Sequence, residues 1–322
     1  MNGAPGFWRR RGLAAWALSP LGLVTRAVTA ARVARPGWMA PVPVICCGNA
    51  GVGGAGKTPL ALDLAARLRA RGVAVHFLTR GFGGTARAPL RVDLAAHDSA
   101  AVGDEALLLA AVAPCWVGAD RATSARLAVA AGAQVLIMDD GLQNRGLRKT
   151  LSLLVVDGGV GFGNGFLLPA GPLREPVAAA ASRCGAAVVI GADDAGAVDA
   201  LPTGLPVLRA SLRASRGVDA IVGRKVVAFA GIGRPAKFFA TLRDAGGVVV
   251  AERGFADHHR YAATELAALR ALATQERAVL VTTEKDFVRL PMSARDGMLA
   301  LGVRLAWADE TAIEALLRTA VP

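Results

Sequence analysis

The stretch VICCGNAGVGGAGKTPLALDLAARL, residues 44–68, decides how this chain is read. An apolar run of strand character stops at a glycine-rich bend. The bend passes Lys57-Thr58 and enters an Ala/Leu-rich helical pattern. Residues 51–58, Gly-Val-Gly-Gly-Ala-Gly-Lys-Thr, fit the phosphate-loop pattern GxxxxGK[ST] in full. In such a loop Gly51, Gly53, Gly54, Ala55 and Gly56 let backbone N–H groups curl around phosphate. The start of the helix adds partial positive charge, Lys57 reaches the β/γ-phosphates and Thr58 binds Mg²⁺. Pro59 completes the run expected to line the nucleotide. Lysine is rare here, five against 32 arginines, so Lys57 reads as a position that needs a compact ammonium.

A nucleotide phosphate needs acidic help with its metal. The segment AQVLIMDDG supplies it: an apolar strand ending in Asp139-Asp140. In a parallel sheet that strand belongs beside the phosphate-loop strand, its carboxylates at the γ-phosphate edge. The plain alternative is a turn or a helix cap. VGDEALLLA starts a helix at Asp104-Glu105, where acids are commonly no more than partners of the helix dipole. FADHHRY places Asp257, His258 and His259 after a strand-like run in a chain with four histidines. A His–carboxylate pair can take a proton from an attacking hydroxyl. Adjacent histidines rarely converge on one metal ion.

The chain has 322 residues, 53% of them hydrophobic, enough for two domains or one large one. The net charge is +12, and half of it lies in residues 1–36, which hold Arg9, Arg10, Arg11, Arg26, Arg32, Arg35 and no acid. A basic patch suits a membrane, a nucleic acid or a phosphorylated substrate. Between Arg11 and Arg26 lie 14 uncharged residues interrupted by Pro20, short of the roughly 18–20 needed to cross a bilayer. Trp8 and Trp16 beside arginines fit a helix lying in a membrane interface, the alternative being a helix packed on the protein's own core. Continued arginines and the phosphate loop oppose a signal peptide. Nucleic-acid binding lacks aromatic-rich basic motifs, with one Tyr in the chain. The four cysteines show neither zinc nor disulfide spacing and read as small core residues.

Two long glycine-rich loops, TRGFGG (79–84) and GFGNGFLLPAGPLREP (161–176), read as functional. TTEKDFVRL departs from the guanine-reading order, since Glu284 stands where lysine is required.

Taken in order, GNAGVGGAGKTP, TRGFGG, VGDEALLLA, DDGLQNR, GFGNGFLLPAGPLREP, FAGIGRP, FADHHRY and TTEKD resemble the tetraacyldisaccharide 4'-kinases of lipid A biosynthesis over nearly the whole chain. Leu142 and Asn144 depart from the family's usual DDGFQHR. The resemblance implies two α/β/α domains joined by a hinge, and transfer of the γ-phosphate of ATP to the 4'-hydroxyl of a tetra-acylated glucosamine disaccharide 1-phosphate. It implies that Asp104 activates the hydroxyl together with His258, and that Thr58, Glu105, Asp139 and Asp140 surround Mg²⁺. It places the enzyme on the cytoplasmic face of the inner membrane, peripheral or monotopic. The resulting expectation is a P-loop NTPase-type α/β/α core with a second, smaller α/β domain. Residues 1–36 form a basic membrane-associating segment, 37–215 the kinase domain and 216–322 the C-terminal domain. The competing reading is a membrane-associated P-loop NTPase switch that hydrolyses nucleotide to control a protein partner.

Overall fold

The computed structural model describes residues 5–34 and 37–321, so Arg35 lies outside the described residues. Among the described residues thirteen strands are formed. They are β1 Val44–Gly48, β2 Val75–Thr79, β3 Leu90–Arg91, β4 Cys115–Val117, β5 Val135–Asp139, β6 Leu151–Asp157 and β7 Ala186–Ile190. β8 Val207–Ala214, β9 Lys225–Ala230, β10 Val248–Gly254, β11 Val279–Thr283, β12 Met298–Leu301 and β13 Val303–Trp307 follow. The first sheet runs β13-β8-β7-β6-β1-β5-β2-β4-β3, the second β10-β9-β11-β12.

The strand that carries the phosphate loop is central in the first sheet. β1 pairs in parallel with β5, Cys47 opposite Asp139, and with β6 on its other side. All five residues of β1 and of β5 are buried. Strands covered on both faces need apolar residues throughout, which is why both read as continuous runs. Adjacent residues point to opposite faces. Val44 and Cys46 enter a core with Ala125 and Ala128 of the helix Arg121–Ala130. The helix Lys57–Ala70 packs on β1 and β5 through a buried stripe of Leu60, Leu64 and Leu68. The short β3 pairs antiparallel with β4 at the sheet's edge.

The second sheet is wholly parallel. Along β9 the faces alternate: Val226, Ala228 and Ala230 join Phe238, Phe239 and Leu242, while Val227 and Phe229 join Leu266, Leu269 and Ala273. The helices Pro235–Asp244 and Ala263–Glu276 therefore cover its opposite faces.

Contacts divide the chain into two compact units. The smaller comprises 98–100 and 212–305, and the larger takes the remaining described residues, including 306–321. The sequence reading ran the C-terminal domain to residue 322. The difference has a local cause. Trp307 donates its indole N–H to Asp63 at 2.9 Å. Arg67 holds Asp63, Glu310 and Glu314 at 2.8, 2.6 and 2.9 Å. These contacts seat the last helix, Glu310–Ala320, on the larger unit.

Candidate active site

The loop between β1 and its helix is built by its own backbone and by a distant segment. Gly56 caps the helix Lys57–Ala70 at φ 93°, a left-handed conformation, and a Cβ there would lie 2.6 Å from the Ile190 Cδ1. Only glycine takes both that angle and that approach. The Val52 N–H donates to the Pro172 carbonyl at 2.9 Å, and the Arg174 N–H to the Ala50 carbonyl at 2.8 Å. Lys57 turns its ammonium back over the loop, donating to Asn49 Oδ1 and to the Gly53 carbonyl, each at 3.2 Å, with Asp140 at 3.8 Å. Gly51, Gly53, Gly54, Ala55 and Gly56 follow the carboxyl end of β1, and Lys57, Thr58 and Pro59 open the helix after them.

The Thr58 hydroxyl donates to Asp139 Oδ2 at 2.7 Å. Asp139 is buried, and its Oδ1 has no hydrogen-bond partner. Burial pushes its carboxyl up to about 6, against the pull of the Thr58 hydroxyl and of Lys57. Asp140 behaves oppositely. Burial raises it too, but Lys57 and the Arg174 guanidinium, 3.2 Å away, outweigh burial and hold it below its usual value. Its backbone sits at φ 55°, a conformation non-glycine residues rarely hold and one that clusters at functional sites.

Two neighbours were not singled out as site residues, Arg121 outside every motif quoted above and Gln143 inside DDGLQNR. Arg121 is 3% exposed, donates to the Gly118 carbonyl and leaves its Nε without a partner. Burial lowers its guanidinium to about 10, partly offset by Asp140 and Asp139. It opens a helix after the cap residue Asp120. Gln143 donates to the Asn49 carbonyl and to Glu175, each at 2.8 Å, and Glu175 in turn pairs with Arg183 at 2.7 Å.

Asp104 and Glu105 open the seven-residue helix Asp104–Ala110. Gly103 before them holds φ 85°, and a Cβ there would lie 2.5 Å from the Phe82 carbonyl. The TRGFGG loop therefore packs directly against the start of this helix. Asp104 is 6% exposed, so it is not a solvated dipole partner.

In the smaller unit the two adjacent histidines separate. His259 holds Glu265 at 2.9 Å and stacks on Phe255. His258, at φ 59°, has Asp257 at 3.8 Å from its Nε2. Among the described residues no group of three or more His, Cys, Asp or Glu is spaced to hold a metal by itself.

Residues 14–322 match the family described as tetraacyldisaccharide-1-P 4'-kinase. The tetraacyldisaccharide 4'-kinase of Gluconacetobacter diazotrophicus is 56% identical over 98% of this chain and 97% of its own length. That of Rhodospirillum rubrum is 50% identical over 98% and 96%. Among solved structures, LpxK from Aquifex aeolicus in complex with ATP superposes with a TM-score of 0.76 at 25% identity, covering 96% of this chain and all of that one. The chain belongs to the tetraacyldisaccharide-1-P 4'-kinase family.

The two departures from the usual motif of these 4'-kinases have local explanations. Leu142 is buried, its Cβ 2.5 Å from where a side chain on Gly48 would begin. Asn144 accepts the Gly146 N–H at 3.0 Å and closes a turn. The GFGNGFLLPAGPLREP loop that marks this 4'-kinase sequence also seats the N-terminal segment. Thr25 and Thr29 donate to the Leu168 and Arg174 carbonyls at 2.7 and 3.0 Å. Trp8 donates to the Pro169 carbonyl at 3.0 Å, and Asn164 to the Phe7 carbonyl at 3.0 Å. The helices Leu13–Leu18 and Leu21–Val33 leave Leu13, Trp16, Leu23, Val24 and Val28 more than half exposed. No described helix is long and apolar enough to cross a membrane.

Proposed function

We propose that this chain transfers the γ-phosphate of ATP to the 4'-hydroxyl of a tetra-acylated glucosamine disaccharide 1-phosphate, the activity of the family to which it belongs. The observation that carries this reading is the Thr58–Asp139 contact at the foot of a complete phosphate loop. Catalysis of phosphoryl transfer is almost wholly positioning and charge stabilisation. Residues 51–59 cradle the phosphates, Lys57 sits at the β/γ edge, and Arg121 adds a second, pre-desolvated positive group.

The residues fit Mg²⁺. Asp139 keeps an unpartnered buried oxygen beside a hydroxyl, and a hard divalent ion takes such oxygens together with phosphates and water. Thr58 and Asp139 would hold it, with Glu105 and Asp140 close to its charge. When bound there, it would supply positive charge against the phosphates. Asp104 takes the proton of the attacking hydroxyl, and His258 acts on the same acceptor, as the family resemblance implies. The exposed apolar faces of the N-terminal helices, with Arg9, Arg10, Arg11, Arg26 and Arg32, suit attachment to the anionic cytoplasmic face of a membrane.

Labelled ATP with a defined disaccharide 1-phosphate acceptor tests the proposal. The expected result is label in the acceptor and ATP turnover that depends on it. Equal ATP hydrolysis without acceptor would favour the NTPase-switch reading instead.

A further inference from the structure

The larger unit holds a second basic place outside the phosphate loop. A cavity of about 310 Å³ is lined by Arg9, Arg10 and Arg11 together with residues 162–165 and 195–197. Its volume is at the lower end of small-molecule sites, roughly 300–1,000 Å³. Among the described residues its lining holds three guanidiniums and no carboxylate. Asp193 caps its own turn, accepting the Ala197 and Val198 N–H groups at 2.6 and 3.1 Å. Asp199 stands outside the lining, its Oδ2 3.8 Å from where a side chain on Gly196 would begin. The glycine-rich loop gives the cavity its frame. Asn164 is buried. Its backbone N–H donates to the Trp8 carbonyl at 2.8 Å, and its side-chain amide to the Phe7 and Ala170 carbonyls at 3.0 and 2.9 Å. Gly163 holds φ 60°, and a Cβ there would lie 2.8 Å from the Trp8 carbonyl oxygen. Only glycine lets the loop close on the arginine segment in this way. Arg11 Nε donates to the Asn164 carbonyl at 3.0 Å, and its guanidinium lies 5.5 Å from the centre of the Phe166 ring. Among the described residues the side chains of Arg9 and Arg10 have no hydrogen-bond or ion-pair partner.

Guanidinium nitrogens only donate, and their fork meets two anionic oxygens with parallel, charge-assisted bonds. A carboxylate presents its two oxygens in one plane. A phosphodiester presents oxygens in tetrahedral directions, which suits donors that reach in from three positions. The neighbouring surface is apolar. Just after Arg11 come Leu13, 91% exposed, and Trp16, 57% exposed, and the Trp16 ring meets Phe166 edge-on at 4.9 Å. A charged cavity beside an exposed apolar face matches a molecule with a phosphate head and acyl chains. We infer that this cavity seats the phosphate headgroup of an anionic membrane lipid, whose acyl chains lie along Leu13 and Trp16. This rests on the proposal above that the N-terminal helices attach to a membrane, and it goes further. Diffuse attraction responds to surface charge alone, whereas a cavity distinguishes headgroups and saturates.

The test floats the unaltered full-length protein with two kinds of phosphatidylcholine vesicle, one doped with phosphatidylglycerol and one with oleate, matched in surface potential. Binding should be on the order of tenfold tighter to phosphatidylglycerol, about the difference one charge-assisted bond makes. Glycerophosphoglycerol, the same headgroup without acyl chains, should release the protein more than sodium chloride of equal ionic strength does. Arg9→Gln with Arg10→Gln should erase the preference. Arg26→Gln with Arg32→Gln removes the same charge from the same segment outside the cavity, so it should weaken binding to both vesicles and keep the preference. Equal binding of the unaltered protein to both vesicles overturns the headgroup cavity and leaves membrane attachment standing. Flotation with neither vesicle overturns the membrane reading and the cavity with it. A preference that survives Arg9→Gln with Arg10→Gln places headgroup recognition elsewhere and overturns the inference. If that double variant instead keeps the preference and loses transfer to acceptor dispersed in neutral detergent, the cavity serves the acceptor's own phosphate, and the membrane-lipid assignment falls.

Discussion

At the residue scale the phosphate site sets charges against one another. Lys57 lies within 4 Å of Asp140 and bonds two loop oxygens. Lys57→Ala should cut phosphoryl transfer by at least about 10²–10³-fold, the typical loss for one preorganised donor, with a melting temperature near wild type. Retained transfer would move the nucleotide site elsewhere. Asp104→Asn keeps shape and removes the proposed base, so kcat should fall about 10²–10⁴-fold. A helix-dipole role alone would cost about 0.3–1 kcal/mol of stability and spare turnover. Steady-state kinetics beside a melt distinguishes the two. Asp139 makes a pH-dependent prediction. Its carboxyl lies at about 6 in the folded protein against 3.8 ordinarily, because it is buried. A raised acid favours the protonated folded form, so its contribution to stability is present below 3.8 and lost as pH rises through 6. Without nucleotide or Mg²⁺, Asp139→Asn should therefore raise the melting temperature more near about pH 7.5 than near about pH 5. The same variant should bind Mg²⁺–nucleotide more weakly. A gain independent of pH would mean that burial does not perturb Asp139.

At the element scale the two N-terminal helices have two jobs on two faces. Thr25 and Thr29 fasten one face to the 161–176 loop, while Leu13, Leu23, Val24 and Val28 leave the other apolar and exposed. Deleting the segment would disturb that loop, so the cleaner variant is Leu23→Ser with Val24→Ser and Val28→Ser. It should lose flotation with anionic vesicles while ATP binding survives. High salt should loosen the unaltered protein partially, since the Debye length falls from about 10 Å at 0.1 M to about 3 Å at 1 M. Undiminished flotation of the triple variant would place any membrane contact elsewhere. The elements most legible in the sequence were those with a period or a motif: β1, its glycine loop and helix, and β5 with its acids. Docking of residues 5–34 onto the 161–176 loop was not legible. It is made by hydroxyls and an indole reaching backbone carbonyls, and a carbonyl has no letter in the sequence. Arg121 was hidden for a related reason, since its burial comes from elements far apart along the chain.

At the scale of the whole molecule the chain builds two compact units, and sequence position does not say which unit a residue serves. The alternation of strand and helix was readable in the second half, but the return of residues 306–321 to the larger unit was not. That return depends on Arg67 meeting Glu310 and Glu314, pairs about 245 positions apart that no local pattern announces. It has a thermodynamic consequence. Ile313 and Leu317 are fully buried, so Leu317→Ala should cost about 2–5 kcal/mol. Phe239→Ala, buried between the smaller unit's sheet and helix, should cost about 3–5 kcal/mol. With two compact units a single two-state melt is not assured. If the phosphate loop holds the nucleotide as proposed, ATP at about 100 times its dissociation constant should stabilise that unit by about 2.7 kcal/mol. Calorimetry with and without nucleotide therefore labels the transitions. Leu317→Ala should lower the transition that nucleotide raises, although Leu317 stands five residues from the end of the sequence. Phe239→Ala should lower the other. If Leu317→Ala lowers only the nucleotide-insensitive transition, the last helix belongs energetically to the smaller unit. If both variants lower one shared transition, the two units unfold cooperatively.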